Sequence, residues 1–275
     1  MTSKNFWDDF QTWEQAESAW DLPREELIKQ SPLNSPKHLP NIPGITQETK
    51  KNLKWKSLKY MVKHDHEGKI RKNFLRHPFR YGAQFIRSAY KTEPFKIDGD
   101  FYLYGVESVD DFISRTGNVS ESILVVGFSY CHKPHECPSG RFNESCIRDP
   151  AHSVCRQCFI GKSLHALPQK NVVPLVISTI HYIGEKMFDV VHHNPGKEIL
   201  FVISACELCL KMFADWGNMV NAKGIGIRLD GRICNTMKAF ELSEIGIKPG
   251  LTVILEATQK RVLDIIRCRR EASFS

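Results

Sequence analysis

From residue 120 onward, short apolar runs alternate with stretches whose apolar residues recur every three or four positions, and no other feature constrains the fold as tightly. Ile123–Phe128 reads as a buried strand, Val172–Ser178 as a second with an edge-like Pro174, Ile199–Ser204 as a third and Lys223–Leu229 as a fourth. Helical periods lie between them: Ile183, Met187, Val190 and Val191 after the second run, then Leu208, Met212, Phe213 and Trp216 up to Gly217. A closing helix over 251–267 carries Leu251, Ile254, Leu255, Thr258 and Val262. Strands alternating with helices pair in parallel through right-handed crossovers, so the expected class is α/β, a mostly parallel sheet flanked by helices. The carboxyl ends of such strands share one edge, where ligands bind. Cys131, Thr179 with His181, Cys206 and Cys234 follow the four strands in turn, which brings reactive side chains from four pieces of sequence to that edge.

Five of the nine cysteines fall within residues 131–158, as Cys131-x5-Cys137, Cys146 and Cys155-x2-Cys158. Any one of them could be a small buried hydrophobe. Five at this density, among proline, glycine, histidine and charge, point instead to metal binding by soft thiolate sulfur. A C-x2-C pair lets one tight turn supply two ligands. Cys131, Cys137, Cys155 and Cys158 are the primary ligand candidates, with Cys146 and His152 in reserve, because His152 stands three residues before Cys155. The cysteines exceed what one zinc ion needs, so an iron–sulfur cluster is the first expectation and Zn2+ the second.

Cys206-Glu207-Leu208-Cys209 opens a helix, where the positive end of the dipole favours a thiolate at Cys206. Cys206 is therefore a ligand or a nucleophile, with Glu207 beside it as a catalytic acid or base, whereas Cys209 suits the core beside Leu208, Met212 and Phe213. In Gly231-x2-Cys234-Asn235-Thr236, Cys234 and Asn235 are cofactor-contact candidates, although Asn235 and Thr236 also suit capping of the next helix. Cys268 is assigned no role. Gly161-Lys162-Ser163 lacks the earlier glycine of a phosphate loop, Gly224-Ile225-Gly226 lacks a third glycine, and G-x-S-x-G and H-E-x-x-H motifs are absent from the chain.

The run Cys131-x5-Cys137-Pro138, then Cys155-x2-Cys158 before Ile160-Gly161, then Ala205-Cys206-Glu207 and Gly231-x2-Cys234-Asn235-Thr236, resembles the bacterial and archaeal proteins grouped as domain of unknown function 116. The resemblance covers roughly residues 121–245 and implies a cysteine-rich α/β metal-binding module with no settled reaction. Where that family tends to carry a C-x2-C-x2-C triple, this chain has His152-x2-Cys155-x2-Cys158, so His152 or Cys146 stands in for the first member.

Ahead of the α/β region (99–275) lie an N-terminal unit (1–47) and a basic helical segment (48–98). Phe6, Phe10, Trp13, Ala16 and Trp20 suit an amphipathic helix over 4–20, and prolines 32, 36, 40 and 43 an extended linker. Of the net charge of +7, Lys50–Lys91 holds thirteen Lys/Arg against Asp65 and Glu67, a local excess of +11. Helices broken near Asp65–Gly68, with Pro78 opening a last one through Tyr90, would pack their aromatic residues on the body and leave their charges in water. His64-Asp65-His66 reads as a solvated turn between them. The competing reading gives this segment nucleic acid or an anionic membrane as partner. An odd cysteine count and a start without a secretory n-region and h-region suggest a cytoplasmic protein. No apolar run reaches the ~18–20 residues of a membrane span. The functional expectation is a cysteine-ligated metalloprotein with a redox or accessory enzymatic role at the sheet edge, served if redox-active by a partner protein. The alternative is a zinc-stapled binding module gripping its partner through the basic helices.

Overall fold

The structure, a computed structural model, describes residues 5–34, 44–89 and 95–274. A six-stranded sheet lies at its centre in the order β1 (Lys96–Asp98), β2 (Phe101–Tyr104), β6 (Lys223–Arg228), β5 (Glu198–Ala205), β3 (Ser122–Ser129) and β4 (Val172–Ile177). The four expected strands are all present and pair in parallel, β4 with β3, β3 with β5 and β5 with β6. β2 runs antiparallel to β6, and β1 antiparallel to β2, so the sheet is mixed at that end. Pro174 sits on β4 at the other end, where a strand can lack one amide donor.

Successive residues of β3 face opposite sides of the sheet. Leu124, Val126 and Phe128 join one core, covered by a 3-10 turn (Phe6–Asp9), α1 (Trp13–Gln30), α6 (Val109–Thr116), α8 (Phe159–Ala166) and α12 (Glu256–Phe274). Ile123 and Val125 join the other, covered by α9 (Ile180–His193), α10 (Glu207–Met219) and α11 (Met237–Glu244). Onto α9 and α10 pack α3 (Leu53–Lys63), α4 (Lys69–Arg76) and α5 (Pro78–Ala89), preceded by the single turn α2 (Gln47–Lys50). The turn α7 (Ser153–Gln157) lies against α1.

Three expectations need correcting. The N-terminal helix starts at Trp13, where Thr12 and Gln15 form a capping box, and runs through Pro23 to Gln30; residue 4 and the linker prolines 36, 40 and 43 lie outside the described residues. Residues 251–255 are not helical: β8 (Thr252–Val253) pairs with β7 (Asp230–Gly231), and the Thr252 hydroxyl donates to the Cys131 carbonyl at 2.8 Å. The turn at 64–66 is not simply solvated, because the buried Asp65 carboxylate accepts the Ile70 and Arg71 amides and so caps α4. Tyr90 lies outside the described residues.

The Gly224-Ile225-Gly226 spacing is a packing requirement. A Cβ at Gly224 would stand 2.1 Å from the Phe201 carbonyl oxygen, and one at Gly226 2.6 Å from the Leu210 side chain. Gly224→Ala is expected to destabilise the fold by ~2–3 kcal/mol through overpacking, read as a lower denaturation midpoint. An unchanged midpoint would show that β6 shifts at no cost.

Candidate metal centres

The chain leaves β3 towards β4 on one side and leaves β5 towards β6 on the other, so the crevice between the carboxyl ends of β3 and β5 is the topological switch point of the sheet. The two ends are tied together, the Ser129 amide donating to the Ser204 hydroxyl at 3.2 Å. Cys131 follows directly, its amide donating to the Ser129 hydroxyl oxygen at 3.3 Å. Cys206 is the N-cap of α10, and Cys209 one turn later brings its sulfur to 3.4 Å from that of Cys206. Cys234 arrives on the loop after β7, its thiol 3.6 Å from the Ala239 carbonyl. The Lys248 ammonium donates to the Cys234 sulfur at 3.4 Å. All four cysteines line one cavity of about 50 Å³ with Ser178, Thr179 and Glu244.

Mutual hydrogen bonding and burial together decide the chemistry of these thiols. The hydrogen bond with Cys209, followed by burial, raises the Cys206 pKa; the bond with Cys206, followed by burial, raises that of Cys234; and burial raises that of Cys131. The lowered Cys206 pKa expected from its helix position is not found: the hydrogen bond with Cys209 and then burial shift it the other way. A neutral, buried thiol is a poor nucleophile, whereas a metal ion deprotonates a coordinating thiol outright. Burial also pushes the Glu244 carboxyl up to about 8, against the Ile180 amide that donates to it at 2.9 Å.

The remaining cysteines of the 131–158 block form a second group. Cys137, Cys146, Cys155 and Cys158 line a separate cavity of about 20 Å³ together with Lys133. Lys133 is buried, and its ammonium donates to the Asn143 carbonyl and side-chain oxygens and to the Ser145 carbonyl, at 2.8–3.3 Å. Burial lowers the pKa of that ammonium, opposed by the thiols of Cys137, Cys146 and Cys158 nearby. Burial pushes the Cys158 thiol up to about 12. Arg141 links the two groups: its guanidinium donates to the carbonyls of Lys133 and Cys131 and to those of Lys248 and Gly250.

The structure thus sorts eight thiols into two quartets, each beside its own lysine. Cys131 belongs to the sheet edge and not with Cys137, Cys155 and Cys158, and Cys146 takes its place in the loop. His152 caps α7, its Nδ1 accepting the Val154 amide at 3.2 Å, and does not line the loop cavity. Glu207 accepts the Ile45 amide and pairs with Lys211 rather than lining the edge cavity, where the acid present is Glu244. Asn235 is exposed and its carbonyl accepts the Thr46 amide; His181 bonds to the Met61 carbonyl. Cys209, which its neighbours Leu208, Met212 and Phe213 suit to the core, instead lines the edge cavity with Cys206, and its C-x2-C spacing is the signal for that. Lys133, Lys248 and Glu244 carry no motif. Lys162 of the Gly161-Lys162-Ser163 triplet pairs with Glu17 and Asp21 of α1, and the Cys268 thiol meets the Ile113 carbonyl.

Among the described residues, no three His, Cys, Asp or Glu side chains stand closely enough together, as placed, to hold an ion. No known protein family, curated protein or solved structure matches the chain significantly.

Proposed function

We propose that the chain is a cysteine-ligated metalloprotein with a redox or accessory enzymatic role. In this reading Cys131, Cys206, Cys209 and Cys234 hold an iron–sulfur cluster at the sheet edge, and Cys137, Cys146, Cys155 and Cys158 hold one zinc ion in the loop. The observation that carries it is the partition of eight thiols into two fours, each around one cavity. Four is the ligand number of tetrahedral zinc and of the common iron–sulfur clusters. Zinc-bound thiolates lie ~3.8 Å apart, from metal–sulfur bonds of ~2.3 Å. The Cys206–Cys209 separation of 3.4 Å is already close to that. Lys133 and Lys248 would offset part of the negative charge that four thiolates bring.

Cavity size favours different occupants for the two groups. The loop cavity, about 20 Å³, has room for little more than one water-sized particle, since one water needs ~10–15 Å³ on the same measure. The edge cavity, about 50 Å³, is larger and stands at the switch point, where a redox group would meet a partner or substrate. The cysteines quoted for the domain of unknown function 116 resemblance include members of both quartets.

The test is iron, acid-labile sulfide and zinc analysis with a visible spectrum on anaerobically purified protein. Cys206→Ser is expected to lose colour and iron while keeping about one zinc, and Cys158→Ser to lose the zinc. A colourless, metal-free wild type, or full metal content in both variants, sinks the assignment.

A further inference from the structure

The basic segment divides its apolar side chains between two directions. Tyr60, Met61, Ile70 and Tyr81 are buried against the α9 and α10 side of the body. Trp55, Val62, Leu75, Phe79 and Ile86 point outward, with Phe79 92%, Leu75 67% and Trp55 71% exposed. Scattered exposed apolar residues are ordinary, but these follow helix spacing. Trp55, Lys59 and Val62 fall at i, i+4 and i+7 on α3, and Phe79, Ala83 and Ile86 do the same on α5, all of them exposed. Leu75 lies between them on α4, one turn after the exposed Lys72. Because the inner sides of the three helices pack on one pair of helices, their outer sides form one apolar-and-cationic surface. Among the described residues, Lys51, Lys59, Lys63, Lys72, Arg80 and Arg87 are exposed and have no ion-pair partner, so the surface offers unspent positive charge. At its margin, His77 and Arg80 also wall a cavity of about 530 Å³ with Lys197 and Lys223.

We infer that this outer surface of α3–α5 docks on an anionic lipid bilayer. The charge selects an anionic partner, and the apolar residues select among anionic partners. Trp55 and Phe79 could stack on bases, but Val62, Leu75 and Ile86 present no flat ring to a nucleotide. All five suit the boundary between headgroups and acyl chains, with Lys and Arg reaching the phosphates. The protein would lie on the membrane without spanning it, since among the described residues no helix is long and apolar enough to cross one. The inference does not depend on which metal, if any, the thiols hold.

The experiment is co-sedimentation of the full chain with vesicles of phosphatidylcholine alone or with ~30% phosphatidylglycerol. Binding is expected to the anionic vesicles and to fall about tenfold between ~0.1 and ~0.5 M salt as the surface potential is screened. Phe79→Gln with Ile86→Gln, both at exposed positions, is expected to cut it about tenfold again with thermal midpoint and metal content unchanged. Lys59→Glu with Lys63→Glu should act in the same direction. Equal binding to neutral vesicles, no binding to either, or binding indifferent to the Phe79 and Ile86 changes overturns the inference. Salt-sensitive capture of a single-stranded oligonucleotide without vesicle binding, or self-association that buries this surface, overturns it equally.

Discussion

Arg269→Met is expected to destabilise the protein by ~3–5 kcal/mol, among the largest effects of any single substitution outside the cysteines. Arg269 is fully buried on α12, and its guanidinium donates to the Thr116 carbonyl at 3.0 Å, the Ser122 hydroxyl at 2.8 Å, the Ser122 carbonyl at 2.9 Å and the Asn171 carbonyl at 2.8 Å. Those acceptors belong to the end of α6, the first residue of β3 and the residue before β4. One side chain therefore holds the closing helix to the amino-terminal edge of the sheet. Burial lowers its pKa to about 10, which leaves it charged at neutral pH. Methionine would fill the volume yet leave buried acceptors unpaired, and Arg269→Lys should recover only part of the loss because an ammonium cannot reproduce the planar fork. Chemical denaturation measures the difference. A loss below ~1 kcal/mol would mean that water or a shifted backbone replaces the guanidinium.

The α/β class and its four parallel strands were legible because buried strands leave a local mark. Ile123–Phe128 and Ile199–Ser204 are continuous apolar runs, and Pro174 tells of an edge by lacking a donor. The antiparallel addition of β1 was less legible, since Lys96–Asp98 is short and exposed. The short strand within 251–255 was less legible for a related reason: two residues of pairing with the distant Asp230–Gly231 leave no periodicity, and the helical spacing of Ile254, Thr258 and Val262 runs on from the true helix into it. The convergence of Cys131, Cys206 and Cys234 at the edge followed from topology alone. Their separation from the other block cysteines did not, because spacing along a loop says nothing about where it turns back. Cys131 is fixed within two residues of the end of β3, whereas Cys137 lies beyond Pro134, in a loop directed by the buried Lys133 and by Arg141. Neither residue has a pattern that announces it. The basic helices show the same limit. Their aromatic spacing told of amphipathic helices, yet Tyr60 and Tyr81 turned inward while Trp55 and Phe79 did not.

Cys146→Ser is expected to lower the thermal midpoint of metal-loaded protein by about 10 °C and to open the 131–158 loop to trypsin at Arg141 and Arg148. Between the turn ending at His132 and α7, the chain forms no helix or strand, and Phe142 and Ile147 are exposed, so the loop has no core of its own. It is held by the Lys133 and Arg141 hydrogen bonds, by His165, whose Nε2 lies 2.6 Å from the Arg148 carbonyl, by the Phe142 ring against Tyr130 and, in the proposed reading, by a metal on Cys137, Cys146, Cys155 and Cys158. A ligand that binds only the ordered loop stabilises that order by its own binding free energy. The effect should reach the N-terminal unit. The Trp20 indole donates to the Arg156 carbonyl at 3.1 Å, and the Arg156 guanidinium lies 4.8 Å from the Phe6 ring centre and 4.6 Å from that of Trp20. Loosening of α7 would therefore expose tryptophan, visible as a change in intrinsic fluorescence before global unfolding. Cys206→Ser removes a ligand from strand ends already fixed by the sheet. It should cost metal at the edge with a smaller thermal shift and no new cleavage in the loop. If Cys146→Ser resists trypsin as well as the parent protein does, the loop is ordered by its hydrogen bonds alone and its four thiols hold no structural metal.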